Sequence, residues 1–245
     1  MTPPILSIES LAVTRRGFRL YIEKLHLRSG RLLCVAGPNG SGKSTLLNCI
    51  TGLLLPDSGN VAVIGRPMTK NLREVKANIG YVPDDEDWFI RELNAREYLR
   101  LLSKVHATDL QDQIQSRITD LAQKLYFSNL DTPLDELSHG NKKKVQLIAG
   151  LMHSPKLIVI DELRNGLDPL TIMAAEQILR DETARGACII AATHDLWWAE
   201  RIADEVLILN EGHVCLHQTT VSICKQYGNL EKAFMRQVSA STQAS

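Results

Sequence analysis

The chain has 245 residues, 44% hydrophobic and 23% charged, with 28 Lys plus Arg against 28 Asp plus Glu. That balance excludes a disordered chain, and zero net charge argues against a general nucleic-acid binder, which carries a basic excess; no nucleic-acid partner is expected. None of the five cysteines has CxxC spacing, and Cys34 and Cys188 lie in apolar runs, so they read as buried thiols of a reducing compartment rather than disulfides or zinc ligands. The opening MTPPILSIES lacks the pattern of a signal peptide, and the longest apolar runs are far below a membrane span, so a cytoplasmic protein is expected.

Residues 5–13 and 19–27 alternate weakly and predict two strands. LLCVAG, 32–37, is a continuous apolar run, as in a strand buried on both faces. A glycine-rich loop and a helix through TLLNCITGLL follow. VAVIG and IGYVP predict further strands, the second stopped by Pro83. From about 94 to 130 the spacing is helical and amphipathic. KLIVID is a buried strand ending in acid, a helix runs from Pro169 to about Ala184, and ACIIAATH is a strand ending in His194. EVLILNEGHVCLH predicts a hairpin turning at Glu211-Gly212. The tail, 239–245, is polar and expected to be disordered. Strands alternating with helices mean an α/β fold with a mainly parallel sheet, whose ligands sit beyond the carboxyl ends of the strands. The glycine-rich loop, Asp161 and His194 all fall at such ends.

GPNGSGKST, formed by Gly37, Pro38, Asn39, Gly40, Ser41, Gly42, Lys43, Ser44 and Thr45, matches the P-loop pattern G-x-x-x-x-G-K-S/T between a strand and a helix. The glycines let backbone N–H groups wrap phosphates, Lys43 is expected at the β- and γ-phosphates, and Ser44 on Mg²⁺. LIVIDE adds Asp161, a strand-end acid suited to Mg²⁺, and Glu162, placed to orient or deprotonate an attacking water. The plainer reading of adjacent acids is a helix cap. His194 is expected at the γ-phosphate. LSHGN, 137–141, is a second turn opening a helix and a second plausible anion site.

The order GPNGSGKST, IGYVPDD, LSHGN, LIVIDE, NGLDP, ATHD resembles the ATP-binding cassette (ABC) ATPases over nearly the whole chain. The resemblance implies a P-loop NTPase with a mainly parallel core sheet, an N-terminal antiparallel β subdomain and a helical signature subdomain at about 85–150. It implies one ABC ATPase domain over 1–235, with 236–245 a flexible tail. In that family two cassettes pack head to tail. Ser138 and Gly140 of the signature LSHGN would meet the nucleotide held by the partner's P-loop, and Asp168 of NGLDP would be the D-loop acid. The second anion site would then belong to a neighbouring chain. ATP and Mg²⁺ are the implied ligands.

Departures from the family pattern are specific. Asp84 stands at the usual Q-loop glutamine, where a carboxylate could bind metal or water and so is counted with both the catalytic and the metal-binding residues. His139 and Asn141 replace Gly and Gln in the signature, and Leu163 and Arg164 replace Pro and Thr after the two acids. The family's adenine-stacking aromatic is represented only by VTRRGF, leaving Arg15, Arg16 or Phe18. DDEDWFIRELNAREYLRLL and GNLEKAF are similar to the drug- and antibiotic-type exporter ATPases, which work with a separate ABC-2 type membrane permease. The resemblance implies a cassette peripheral on the inner face of the cell membrane, acting as a homodimer on two ATP and driving such a permease. The alternative is a non-transport or regulatory ABC ATPase with weak or no hydrolysis. Trp88 and Phe89 in an acidic run are either permease-facing or folded into the helical subdomain. Trp197 and Trp198 cannot share one helix face, so one belongs to the core. Lys142 to Lys144 read as a solvated basic face, with a phosphate role open.

Overall fold

A computed structural model describes residues 3–15, 17–69, 72–105 and 110–242. Strands β1 (Leu6–Arg15), β2 (Phe18–Leu27), β3 (Leu32–Ala36), β4 (Ser58–Val63), β5 (Arg66–Pro67), β6 (Ile79–Val82), β7 (Leu157–Asp161), β8 (Cys188–Thr193), β9 (Glu205–Asn210) and β10 (His213–Thr219) form one sheet. Their order is β5-β4-β1-β2-β10-β9-β3-β8-β7-β6. The block β9-β3-β8-β7-β6 is parallel, and β5-β4-β1-β2 is antiparallel. The hairpin β9-β10 joins the two blocks, turning through Glu211 and Gly212, both at positive φ. The helices are α1 (Lys43–Thr51), α2 (Leu72–Lys76), α3 (Ala95–Ser103), α4 (Gln111–Lys124), α5 (His139–Leu151), α6 (Pro169–Ala184), α7 (Leu196–Ile202), α8 (Thr220–Tyr227) and α9 (Leu230–Thr242).

The continuous apolar runs are strands covered on both faces. In β3, Leu33 and Val35 join one core with Leu46, Leu47 and Ile50 of α1, while Cys34 and Ala36 join the other. In β7, Leu157 and Val159 face the first core and Ile158 and Ile160 the second. The second core also takes Val145 and Ile148 of α5, Leu179 of α6 and Trp198 of α7. Burying each such side chain stabilises the fold by roughly 1.5–3 kcal/mol. Without both layers, the period-2 alternation would leave half of each strand's apolar side chains in water.

The register levels the strand ends. Ala36 pairs with Thr193, Asp161 with Ala192, and Val82 with Ile160. The loops leaving β3, β8, β7 and β6 therefore open on one edge, which brings residues 37, 84, 162 and 194 together.

The helical stretch expected at 94–130 divides into α3 and α4. Asn94 and Glu97 form a reciprocal capping box that starts α3. In α4, Ile114, Ile118 and Leu121 are buried at i, i+4, i+7. Both helices pack on α5.

The polar tail departs from expectation. Helix α9 continues to Thr242, with Leu230 and Ala233 fully buried and Phe234 and Val238 packed on the core. Tertiary packing of that face overrides the polar composition at its end, while 243–245 lie outside the described residues.

Candidate functional site

The glycine-rich loop leaves β3 and turns through Gly40 (φ 78°) and Gly42 (φ 107°), backbone angles that glycine adopts without strain. Gly42 caps α1 without any side-chain hydrogen bond, and no acidic residue occupies the helix's first turn. The first N–H groups of α1 are thus left for an outside acceptor. A Cβ at Gly37 would lie 2.4 Å from Leu209 O and 2.4 Å from Ser41 Oγ, so the loop closes on itself too tightly for any side chain there. Lys43 Nζ donates to Gly37 O at 2.8 Å and Pro38 O at 3.0 Å. Burial pushes its pKa down, and the charges of Glu162 and Asp161 oppose that shift. The ammonium is held at the loop by two carbonyls that a more strongly charged acceptor can outcompete.

Asp161 ends β7 and is 8% exposed. Burial raises its carboxyl pKa, with Asp84 and Glu162 adding to the rise, while a hydrogen bond with Ser44 and the charge of Lys143 hold it down. Glu162 sits at φ 50°, left-handed for a non-glycine residue, and its N–H donates to Ala192 O at 3.1 Å. Such a conformation costs on the order of 1 kcal/mol or more and persists where the surroundings fix it. Its Oε1 lies 2.9 Å from His194 Nδ1. The loop carrying His194 is braced in turn. Asp195 caps α7 by accepting from Trp198 N at 2.8 Å, and Arg164 pairs with the same carboxylate. That gives one of the unusual residues after the acids a place beside the site; the other, Leu163, is core at 1% exposure.

Asp84, at the exit of β6, accepts from Asn165 Nδ2 at 2.9 Å through Oδ1. The same oxygen lies 3.9 Å from Lys143 Nζ. Lys143 and Lys144 are buried, which corrects the solvated basic face expected from sequence. Lys143 is drawn inward by carbonyls at the ends of β6 and β7, donating to Pro83 O at 2.8 Å and Asp161 O at 3.2 Å. Burial lowers its pKa to about 8 against the pull of Asp84 and Asp161.

These groups line a cleft of about 690 Å³ that includes Lys43, Ser44, Asp84, Asp161 and Glu162. Phe18 forms one wall, its ring packed beside Gly42. Arg15 instead donates to Thr14 O and pairs with Asp57, and Arg16 lies outside the described residues. Of the three candidates for stacking on a base, the structure brings Phe18 to the cleft and directs Arg15 elsewhere. Trp88 also lines the cleft, edge-on to Tyr81 with centroids 6.1 Å apart, whereas Phe89 folds into the helical layer against Tyr98. The tryptophan pair divides as expected: Trp198 is fully buried and Trp197 is 67% exposed.

Ser138, Gly140 and Asp168 do not line this cleft. Ser138 caps α5, its Oγ accepting from Asn141 N at 3.3 Å. Gly140 packs on the NGLDP loop so closely that a Cβ would lie 2.6 Å from Gly166 O. Asp168 caps α6 through Thr171, whose N–H and hydroxyl hold the carboxyl pKa down. Sequence reasoning missed Asn165 and the inward turn of Lys143. Both depend on loop packing, which no local pattern encodes.

The residues fit a phosphate chain with a divalent cation. Ser41 Oγ is buried without a protein partner, the first turn of α1 has no side-chain cap, and Lys43 stands beside both. Among the described residues no three His, Cys, Asp or Glu side chains are grouped to hold a metal alone. A cation held by Ser44 and Asp161 would need oxygens from its ligand, as Mg²⁺ bound with phosphates does.

A family model described as ABC transporter matches residues 23–165. The Nod factor export ATP-binding protein I of Sinorhizobium fredii (strain NBRC 101917 / NGR234) is 32% identical over 201 residues, covering 80% of this chain and 57% of its own length. The lantibiotic transport ATP-binding protein SrtF of Streptococcus pyogenes is 29% identical over 219 residues, covering 87% of this chain and 88% of its own. A solved structure titled as the ATP binding subunit of an ABC transporter superposes with a TM-score of 0.89 at 27% identity, over 95% of this chain and 99% of that one. The chain spans only 57%, 60% and 63% of the length of three of the Nod factor export relatives it matches. With more than half of its residues matched by the family model, the chain belongs to the ABC transporter family.

Proposed function

We propose that this chain binds and hydrolyses ATP as the motor subunit of an exporter. The observation that carries the reading is the convergence of Lys43, Ser44, Asp161 and Glu162 on one cleft at the ends of neighbouring parallel strands, with His194 reaching it only through Glu162. The names of the relatives, Nod factor export and lantibiotic transport, favour a role in export.

Lys43 and the first N–H groups of α1 hold the β- and γ-phosphates, and Phe18 supports the base. Ser44 and Asp161, with Asp84 also lining the cleft, would hold Mg²⁺, which when bound would supply charge neutralisation for the phosphates. Glu162 takes a proton from water as its oxygen bonds to the γ-phosphorus and the bond to the β–γ bridging oxygen breaks. His194 keeps the Glu162 carboxylate aimed. Ser138 and Gly140 lie away from this cleft and serve the nucleotide of a second copy packed head to tail, so ATP closes a homodimer and hydrolysis opens it. The closing and opening drive a separate ABC-2 type permease at the inner face of the membrane.

The test is ATPase activity and size exclusion with ATP and Mg²⁺ on wild type, Glu162→Gln and Ser138→Arg. Wild type is expected to hydrolyse ATP, Glu162→Gln to accumulate as an ATP-bound dimer, and Ser138→Arg to bind ATP as a monomer. A wild type that binds ATP but neither hydrolyses nor dimerises, alone or with its membrane partner, would leave a regulatory cassette. A Ser138→Arg protein that still dimerises would remove the head-to-tail arrangement.

A further inference from the structure

One face of α5 carries His139, Lys142, Lys143 and Gln146, spaced i, i+3, i+4 and i+7. The stripe is polar, yet it is packed against residues 83–86. Lys142 donates to Glu86 Oε2 at 2.9 Å, His139 Nδ1 lies 2.8 Å from Glu86 Oε1, and Gln146 donates to Asp85 O. Lys143 reaches deepest. It is 1% exposed, and its ammonium bonds Pro83 O and Asp161 O.

Those two carbonyls end the adjacent strands β6 and β7, and each belongs to the peptide that leads into an acid of the cleft, Asp84 or Glu162. The peptide into Glu162 is also the one held in left-handed backbone. An ammonium so deeply buried is costly unless paired, and its pairing here is with these strand ends and with Asp84, 3.9 Å away. Four carboxylates, Asp84, Asp85, Asp161 and Glu162, line the cleft, and a triphosphate would bring more negative charge. Lys43 stands at the front of that cluster and Lys143 behind it.

We propose that Lys143 is a positioning residue of the hydrolytic site: it clamps the peptides that present Asp84 and Glu162, and its charge offsets the carboxylate at position 84. The inference rests on the reading of the cleft as an ATP site. It explains how an acid is tolerated at Asp84 beside a polyanion: the carboxylate is held by Asn165 and compensated from within.

The experiment compares wild type, Lys143→Met, Asp84→Asn and the double variant. ATP affinity is measured by calorimetry in EDTA, where no cation masks the acids, and steady-state hydrolysis is measured with Mg²⁺. Lys143→Met is expected to weaken metal-free ATP binding by about 10-fold, and the added Asp84→Asn to restore it to within about threefold of wild type. The kcat of Lys143→Met is expected to fall at least about 10-fold and to stay low in the double variant, because the peptide before Glu162 has lost its donor. Should Lys143→Met not fold, Lys143→Gln, which keeps a donor and loses the charge, is read in the same way for affinity. A wild type that binds no ATP refutes the ATP-site reading and this inference with it. A wild type that binds ATP, with variants of unchanged affinity and kcat, refutes the role of Lys143 alone. An affinity loss that Asp84→Asn leaves untouched overturns the counter-charge.

Discussion

His194 meets Glu162 through Nδ1, 2.9 Å from Oε1, and Glu162 is, among the described residues lining the cleft, the non-glycine residue held at positive φ. The carboxylate is thus fixed from two directions, by its backbone and by an imidazole whose loop is braced at Asp195 by Thr193, Trp198 and Arg164. Under the proposed hydrolysis, His194→Ala is expected to lower kcat by about 10²-fold or more with KM changed less than about threefold, because it frees the base without removing a phosphate ligand. Steady-state kinetics separates the two. A rise in KM with kcat preserved would mean that His194 binds substrate instead of aiming Glu162.

Lys43 is the cation of the phosphate loop, already tied to Gly37 O and Pro38 O. Lys43→Ala removes a charge-assisted donor from two adjacent phosphates. ATP affinity measured by calorimetry is expected to fall by about 10²-fold, equivalent to about 2.7 kcal/mol. Unchanged affinity would place the phosphates somewhere other than this loop.

Phe18 and Arg15 give opposite expectations for the base. Phe18 walls the cleft beside Gly42, while Arg15 is spent on Asp57 and Thr14. Phe18→Ala is expected to weaken ATP by about 1–3 kcal/mol, the usual worth of stacking on a base, and to leave tripolyphosphate affinity unchanged. Arg15→Ala is expected to move neither. Equal losses for ATP and tripolyphosphate in Phe18→Ala would show that the ring supports the loop and not the base.

Glu182 of α6 is 2% exposed at its side chain and pairs with both Arg117 of α4 and Arg185. Arg117 also donates to Leu151 O at 2.9 Å, so the trio ties the helical layer to the core helices. Glu182→Ala takes the buried counter-ion from the partly buried Arg117 guanidinium and is expected to cost about 3 kcal/mol in urea unfolding. Arg185→Ala, whose side chain is 53% exposed, is expected to cost only about 0–1 kcal/mol. Equal costs for the two would mean that the pair on the surface, not the buried one, carries the tie.

What could be read from sequence divides along one physical line. LLCVA, LIVID and CIIAAT declare themselves as doubly buried strands because apolar continuity is a local property, and a parallel sheet then forces Gly37, Asp161 and His194 to one edge. The glycine-rich loop is equally local, since its spacing dictates its turn. Lys143 is the opposite case. A lysine among three reads as solvated, and only the packing of residues 83–86 on α5 turns it inward. Asn165, the choice of Phe18 over Arg15, and the helix reaching Thr242 likewise depend on neighbours distant in sequence.

Glu86 offers a test in pH of the contact between the signature turn and the loop after β6. Burial alone would raise its carboxyl pKa, but hydrogen bonds from Lys142 and His139 outweigh it and hold the group below its ordinary 4.5. A depressed carboxyl contributes stability that is present above the unfolded pKa and is lost as pH falls through the folded one. At neutral pH, Glu86→Gln is therefore expected to be less stable than wild type by about 0.5–1 kcal/mol, a modest figure because the side chain is one-third exposed. The difference should shrink as pH drops below the ordinary 4.5 and vanish once pH has fallen through the depressed folded pKa, where the wild-type carboxyl is itself protonated. Thermal melting of the two proteins across that range measures it. A gap that stays constant as the pH is lowered through the acid range would assign the stability to packing and hydrogen bonding of the side chain; a gap that closes assigns it to the charge that draws Lys142 and His139 onto the loop.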